Sequence, residues 1–204
     1  FLPLLRPAGL KAERDMLLAT NGVNTHKGLI FSMGLLLSAA GVLYQKDRGL
    51  ERLFDIAAMT AKGVLRDFHR IALNNAVSHG EKLYAKYGVK GIRGEAAEGF
   101  KSVRNIGLPT LEKHLKNGYA KNDAAALTLI ELMANVEDTN VLARGGPEAA
   151  VYVKKRAEAI LALPEKKWLS ELIRFDDSLI EINISPGGSA DLLALTLFAR
   201  ELLK

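Results

Sequence analysis

Residues 25–44 read THKGLIFSMGLLLSAAGVLY, a stretch that is apolar on almost every side of a helix. A helix that is hydrophobic all round belongs in the interior of a protein. Segments of helical period lie on both sides of it, and runs rich in β-branched and aromatic residues are scarce. The pattern therefore predicts an all-α fold, a single compact multi-helix bundle domain over residues 1–204 with this stretch as its central apolar helix.

Turn and cap signals divide the rest of the chain into further helices. We expect these at residues 8–20, 50–78 with a break near Gly63, 81–87, 110–115, 123–136, 147–163 and 191–203. Pro147 suits the first position of its helix. Residues 168–181 are ambiguous. Residues 88–107 contain five glycines, too many for one stable helix, so part of this segment should be loop.

A membrane span has to be considered for residues 28–45, which hold no charged side chain and approach a spanning length. Gly34, Ser38 and Gly41 form a stripe of small residues, which also occurs where membrane helices pair. The remaining segments are amphipathic and rich in charge. We therefore expect the central helix of a soluble bundle and no membrane partner.

Composition narrows the class of protein. The chain has 204 residues, of which 49% are hydrophobic and 25% charged, and this excludes a disordered or collagen-like protein. The absence of cysteine excludes disulfides, thiolate metal sites and a cysteine nucleophile. It fits a reducing compartment, and we expect the cytoplasm. A net charge of +5 permits an anionic partner without specifying which one.

Polar residues gather in four clusters at predicted helix ends or glycine-rich turns, where free backbone N–H groups can meet anions. The clusters lie at residues 21–28, 91–105, 137–147 and 185–191. In the first, Asn24 or Thr25 can cap the central helix. Lys27 would then oppose the helix dipole, a penalty that a bound phosphate reverses. The P-loop signature is absent, which disfavours phosphoryl transfer on that scaffold.

The second and third clusters allow two interpretations each. The arginines and the carboxylate of residues 91–105 can grip phosphates and place a base, or they can form a solvated loop. Asp138 and Asn140 can bind Mg²⁺ through oxygen, but both residue types also favour turns. Arg144, next to two glycines, can hold an anion.

The fourth cluster and the histidines have ordinary structural explanations. Ser189 can cap a helix and Asp191 can lie in its first turn, whereas the paired glycines at 187–188 indicate that something approaches the backbone closely. The other histidines, which lack metal-ligand spacing and should be surface or partly buried, are His69, His79 and His114.

Five motifs follow one another along nearly the whole chain. They read GVNTHKG at 22–28, RGEA at 93–96, VRN at 103–105, DTNVLARGG at 138–146 and SPGGSADLLA at 185–194. Together they resemble the triphosphoribosyl-dephospho-coenzyme A synthase family. The sequence departs from the family pattern at Asn21, where glycine is usual, and at Ala143, where histidine is common. The third departure is that the family's N-terminal part with its Pro-Lys-Pro-Gly motif is missing, so we expect a domain that lacks this segment.

The resemblance implies a transferase whose substrates are ATP and 3′-dephospho-coenzyme A. The acceptor's 2′-hydroxyl displaces adenine from C1 of the ATP ribose. The product is the prosthetic-group precursor of the acyl carrier protein of citrate lyase or malonate decarboxylase, and a second enzyme attaches it to that carrier. Mg²⁺ is expected with the triphosphate.

Displacing adenine through an oxocarbenium-like transition state requires negative charge, a base and a proton donor. From the resemblance, we expect Glu95 to act as the base and His26 to donate a proton to adenine. Asp138 would stabilise the oxocarbenium or bind Mg²⁺ with Asp191, and Asn140 is the third expected metal ligand. The residues expected to bind the nucleotide and its phosphates are Asn24, Thr25, Lys27, Arg93, Arg104, Asn105, Arg144, Gly187 and Gly188.

Three alternatives stay open. A related enzyme could use a different hydroxyl acceptor, as Ala143 would allow, and a non-catalytic relative could bind the nucleotide without turnover. A helical nucleic-acid-binding module would account for the positive charge, but no aromatic platform accompanies it, so we expect no nucleic-acid partner. The sequence makes no prediction of the oligomeric state.

Overall fold

The computed structural model describes residues 2–43, 49–65, 76 and 78–202. Every regular element within those ranges is a helix, which confirms the predicted all-α class. The α-helices are α1 (Leu2–Ala19), α2 (Lys27–Leu43), α3 (Leu50–Ala61), α4 (His79–Tyr87), α5 (Gly91–Ala97), α6 (Leu108–Lys116), α7 (Lys121–Asn135), α8 (Thr139–Leu161), α9 (Trp168–Glu181) and α10 (Gly187–Glu201). Two 3₁₀ turns, Lys62–Val64 and Glu165–Lys167, and one π-helical turn, Val103–Gly107, complete the set.

The chain divides into two compact units. The first unit comprises Phe1–Phe100 with Phe198–Lys204, and the second unit comprises Lys101–Leu197. The assignment of residues 1–204 to one domain stays a prediction.

In the first unit, α2 packs against three other helices, although its apolar side chains Leu37 and Val42 are exposed. Helices α1, α3 and α5 pack against it. Leu35, Leu36 and Ala39 of α2 are buried. The hydroxyl of Ser32, which is also buried, donates to the carbonyl of Gly28 at 2.9 Å, so this polar group is satisfied within the helix. Within the described ranges, no helix combines the length and the apolar character needed to cross a membrane.

In the second unit, the core is built from one face of each of α7, α8 and α9. Its largest fully or nearly fully buried members are Leu127, Ile130, Met133, Val153, Ile160, Trp168, Phe175 and Leu179. Helix α7 packs against α6, α8, α9 and the π-helical turn.

Several helix boundaries differ from those expected. Helix α1 begins at Leu2 and not at residue 8, so it contains Pro7, which has no N–H for the intrahelical hydrogen bond. The break expected near Gly63 is present as the first 3₁₀ turn, and residues 66–75 and 77 lie outside the described residues. Helix α8 contains a kink at Gly146, whose φ of 72° and ψ of −171° are not helical, so Pro147 starts its second part as predicted.

The glycine-rich segment 88–107 is more helical than expected. Loop is confirmed at residues 88–90 and 98–100, where Gly88 and Gly99 both have a φ of 74°. Between and after these loops lie α5 and the π-helical turn. Gly88 and Gly99 lie just after the ends of α4 and α5, as left-handed glycines often do, whereas Gly91, with a φ of 52°, is the first residue of α5.

Candidate functional site

The carboxylate of Asp138 joins the N-termini of two helices in the second unit. Its Oδ1 accepts hydrogen bonds from the backbone N–H groups of Asn140 at 2.9 Å and Val141 at 3.2 Å, which caps α8. The same oxygen accepts from the N–H of Gly188 at 3.2 Å. Oδ2 accepts from the N–H of Ser189 at 2.7 Å and from its hydroxyl at 2.9 Å. One side chain therefore satisfies orphan donors of α8 and α10.

The start of α10 explains why this distant cap is needed. The carbonyl of Pro186 accepts the first intrahelical bond, from Ala190 at 2.9 Å. Proline has no side-chain acceptor, so it cannot cap the helix it precedes. The expectation that Ser189 caps α10 is wrong, because the helix begins at Gly187. Ser189 is fully buried and supplies two donors to Asp138 instead.

The paired glycines of α10 allow this approach. A Cβ on Gly188 would lie 2.9 Å from Oδ1 of Asp138, and one on Gly187 would overlap the carboxamide of Asn140. The sequence predicted that something approaches the backbone of these glycines closely. The approaching groups are the side chains of Asn140 and Asp138. Whether the glycines also bind phosphate stays a prediction.

Asp191 lies one turn further along α10 and is half-buried. Burial, followed by the neighbouring charge of Asp138, raises the pKa of Asp191 to about 6. Asn140, by contrast, is exposed. The structure therefore brings together the three residues predicted to bind Mg²⁺, but Asp138 differs from the other two because five donors already occupy its oxygens. Nowhere in the described ranges do three or more His, Asp or Glu side chains form a group that could hold a metal ion.

The VRN motif forms most of the π-helical turn. The N–H of Leu108 bonds to the carbonyl of Val103, five residues back, and Pro109 follows without an N–H to donate. Arg104 is half-buried and Asn105 is exposed on this turn. Gly107 faces Thr196 of α10, where a Cβ would overlap the threonine hydroxyl. Turns of this kind occur frequently at functional sites.

Arg144 is exposed on the first part of α8, just before the kink. Gly145 packs against Ile184, whose Cδ1 would lie 2.6 Å from a Cβ on the glycine. The glycines after Arg144 therefore serve packing and the kink. An anion-binding role of Arg144 stays a prediction.

In the first unit, the turn before α2 carries four predicted site residues, all exposed. Asn24 accepts from the N–H of Lys27 at 3.1 Å, which confirms its capping role. Thr25 and His26 share a hydrogen bond of 2.7 Å between Oγ1 and Nδ1. The ammonium of Lys27 forms an ion pair with Glu13 of α1. That pair offsets the unfavourable position of Lys27 in the helix dipole without a ligand.

Arg93 and Glu95 lie on α5, and both are half-buried. The guanidinium of Arg93 lies 3.6 Å from Oε1 of Glu81. Glu81 also takes part in the capping box that opens α4 with Ser78. Arg93 is therefore tied to the start of α4, and the roles assigned to Arg93 and Glu95 stay predictions.

One histidine is far more buried than expected. His114 is fully buried, and neither ring nitrogen has a hydrogen-bond partner among the residues that the structure describes. The rings of Tyr119 and Trp168 meet it edge-on, with centroids 5.5 and 6.1 Å away. Burial is the main cause that lowers the pKa of His114. The apolar spacing around residues 108–115 is the signal that places this position on the buried face of α6.

The sequence matches a known protein family over almost its whole length. The ATP:dephospho-CoA triphosphoribosyl transferase (CitG) family matches residues 4–204. The 2-(5″-triphosphoribosyl)-3′-dephosphocoenzyme-A synthase of Escherichia fergusonii is 40% identical over 203 residues, covering 97% of this chain and 67% of the relative. The enzyme of the same name from Pectobacterium atrosepticum is 44% identical over 197 residues, covering 96% of this chain and 64% of the relative. The chain thus spans about two thirds of the length of these relatives.

One solved structure has the same fold. It is a crystal structure from Archaeoglobus fulgidus, described as a candidate triphosphoribosyl-dephospho-CoA synthase. The two chains superimpose with a TM-score of 0.55 at 20% identity, covering 96% of this chain and 94% of the other. At that identity the likeness concerns the fold alone.

Proposed function

The chain belongs to the ATP:dephospho-CoA triphosphoribosyl transferase family, and we propose that it transfers the triphosphoribosyl group of ATP to 3′-dephospho-CoA. The observation that carries this proposal is the Asp138 carboxylate, which holds residues 138–146 against residues 185–194. These are two of the segments by which the sequence resembles the family. Their close contact gives both segments a shared physical role.

The transfer exchanges one bond at C1 of the ATP ribose for another. The C1–N bond to adenine breaks and a C1–O bond to the acceptor's 2′-oxygen forms. Glu95 takes the hydroxyl proton, and His26 donates a proton to the departing adenine. Glu95 is half-buried on α5, and a positioned carboxylate is a common general base.

The triphosphate and the acceptor's pyrophosphate need cationic partners and N–H donors. The exposed side chains of Lys27 and Arg144 and the half-buried ones of Arg93 and Arg104 supply the charge. Asn24, Thr25 and Asn105 contribute polar groups beside them. Release of Lys27 from Glu13 would accompany phosphate binding, since an exposed ion pair of this kind is weak.

The donor set fits Mg²⁺ only in part. Asp138 does not fit as a ligand, because five donors use the four or so acceptor sites of its two oxygens. Asp191 fits, because magnesium in nucleotide sites is held by one or two carboxylates together with phosphate oxygens and water. We infer that Mg²⁺ arrives with the triphosphate, whose charge it neutralises.

We also propose a use for the product, from the resemblance to the family. It would be the precursor of the prosthetic group on the acyl carrier protein of citrate lyase or malonate decarboxylase. A second transferase would attach it to that carrier. We propose the cytoplasm as the compartment, because a chain without cysteine fits a reducing environment.

Adenine release tests the proposed function directly. The protein is incubated with ATP, Mg²⁺ and 3′-dephospho-CoA, and the mixture is separated by chromatography. We expect free adenine and a new triphosphorylated product, both requiring the acceptor. Absence of adenine would contradict the proposal, and adenine formed equally well without dephospho-CoA would contradict the assigned acceptor.

A further inference from the structure

Asp138 has no acceptor capacity left for a substrate. Its side chain is 8% exposed and accepts five hydrogen bonds, three at Oδ1 and two at Oδ2. Two carboxylate oxygens offer about four lone-pair sites. A direct contact with a sugar cation or a metal ion would require some of these bonds to break.

The bonds fall into two groups that can be separated experimentally. Those to Asn140 and Val141 are local and cap α8. Those to Gly188 and Ser189 cross 50 and 51 residues of chain and fix the start of α10. Charge-assisted bonds of this kind are about twice as strong as neutral ones. Asp138 therefore determines how the first turns of α8 and α10 lie relative to each other.

Among the polar side chains of those turns, Asn140 and Asp191 remain accessible to a ligand. Asn140 is exposed on α8, where its carboxamide lies against Gly187. Asp191 is half-buried on α10. Their relative position depends on the contact between the two helix starts.

We propose that Asp138 is a positioning residue, which fixes Asn140 and Asp191 for the substrate by holding the starts of α8 and α10 together. This inference rests on the proposed function for its kinetic consequences, whereas its structural consequences stand alone. It replaces the direct catalytic or metal-binding role expected for Asp138 from the resemblance.

The most informative variant is Asp138→Ser. A serine keeps a cap for α8 but is too short to reach α10. Hydrogen exchange on the full chain should become at least about tenfold faster at the amides of Gly188 and Ser189, with little change at Asn140 and Val141. Asp177→Ser, at an exposed position of α9, is the matched control and should leave all four amides unchanged.

Kinetics then separate positioning from direct contact. We expect Asp138→Ser to lower kcat/KM by about 10–100-fold, as loss of an orienting partner does at other sites. Asn140→Ala should lower it too, and the double variant should match Asp138→Ser within about twofold, because Asn140 is already displaced from the substrate when Asp138 is lost. If the fold-changes in kcat/KM of the two single variants multiplied in the double variant, the proposal would be overturned. Such a result would show that Asp138 contacts the substrate independently of Asn140.

A milder variant keeps the test valid if Asp138→Ser does not fold. Ser189→Ala removes one donor to Oδ2 and leaves the other four bonds. It should accelerate exchange at Ser189 by several-fold and lower kcat/KM in the same direction as Asp138→Ser, by a smaller factor. Unchanged exchange at residues 188 and 189 in both variants would overturn the proposal. Absence of adenine release from the unmodified protein, with the exchange result as expected, would contradict only the proposed function.

Discussion

Gly187 packs directly against the carboxamide of Asn140, and a Cβ on the glycine would overlap its Nδ2 atom. A Cβ on the neighbouring Gly188 would lie 2.9 Å from Oδ1 of Asp138. The two contacts differ in their freedom to adjust. Asn140 is exposed and can turn away, whereas Asp138 is buried and held by five hydrogen bonds.

Alanine substitutions should therefore have unequal effects at these two adjacent glycines. Gly188→Ala should lower the free energy of unfolding by about 1–3 kcal/mol, because the methyl group displaces a carboxylate that cannot move. Gly187→Ala should change it by less than about 1 kcal/mol, since the displaced carboxamide can enter solvent. Urea unfolding of both variants provides the measurement. Equal losses would show that Asp138 is not rigidly held.

His114 should make stability depend on pH. Burial and the nearby Lys113 lower its pKa, while Glu165, 3.6 Å from Nδ1, acts in the opposite direction. The unfolded chain therefore binds the proton more readily, and the free energy of unfolding should fall as pH drops below about 6.5 towards the folded-state pKa. His114→Leu should flatten this decline, at a cost of less than about 1.5 kcal/mol at pH 7.5. Urea unfolding at several pH values measures both proteins. If the free energy of unfolding fell equally with pH in the two, His114 would be excluded as the cause of the decline.

Variants of Lys27 and Glu13 distinguish the loss of their ion pair from the loss of a phosphate-binding ammonium group. Lys27→Ala should raise KM for ATP about tenfold, as expected when a charge-assisted bond to phosphate is lost. Glu13→Gln removes the same ion pair but keeps the ammonium, so it should leave KM for ATP within about twofold. Initial rates at varied ATP concentration measure both. If both variants shifted KM alike, Lys27 would act only through Glu13.

Glu95 and Glu98 form a matched pair near the end of α5. Glu95 is half-buried and Glu98 is exposed. Glu95→Gln should lower kcat by about 10²–10⁴-fold, the usual contribution of a general base. Glu98→Gln should retain near-normal turnover. Near-normal kcat for Glu95→Gln, measured as adenine released per enzyme, would exclude it as the base.

The helical period in the sequence predicted the fold well wherever it was regular. The apolar run of α2 and the Gly146-Pro147 break in α8 both have strong local signals. Around the π-helical turn the period changes. Ser102 and Val103 are buried, and the next buried pair, Gly107 and Leu108, comes five residues later. Glycine content and this wide spacing together give a pattern typical of a loop, although the backbone is helical.

The candidate site was predictable in composition but not in connectivity. Paired glycines indicated a close approach to the backbone, and Asp138 is a recognisable helix cap. No local pattern reveals that the cap of α10 lies on another helix, 50 residues earlier in the chain. The sequence signal that indicates a distant cap is Pro186, which precedes α10 and has no side chain that can cap it.

The separation in sequence between Asp138 and Gly188 also bears on how the second unit folds. Bringing them together closes a loop of about 50 residues, an entropic cost that local helix formation does not share. Such a contact is expected to form after the folding barrier is crossed, so weakening it should accelerate unfolding and leave the folding rate nearly unchanged. The hydrogen bonds from Gly188 and Ser189 to Asp138 would then also determine the lifetime of the folded state.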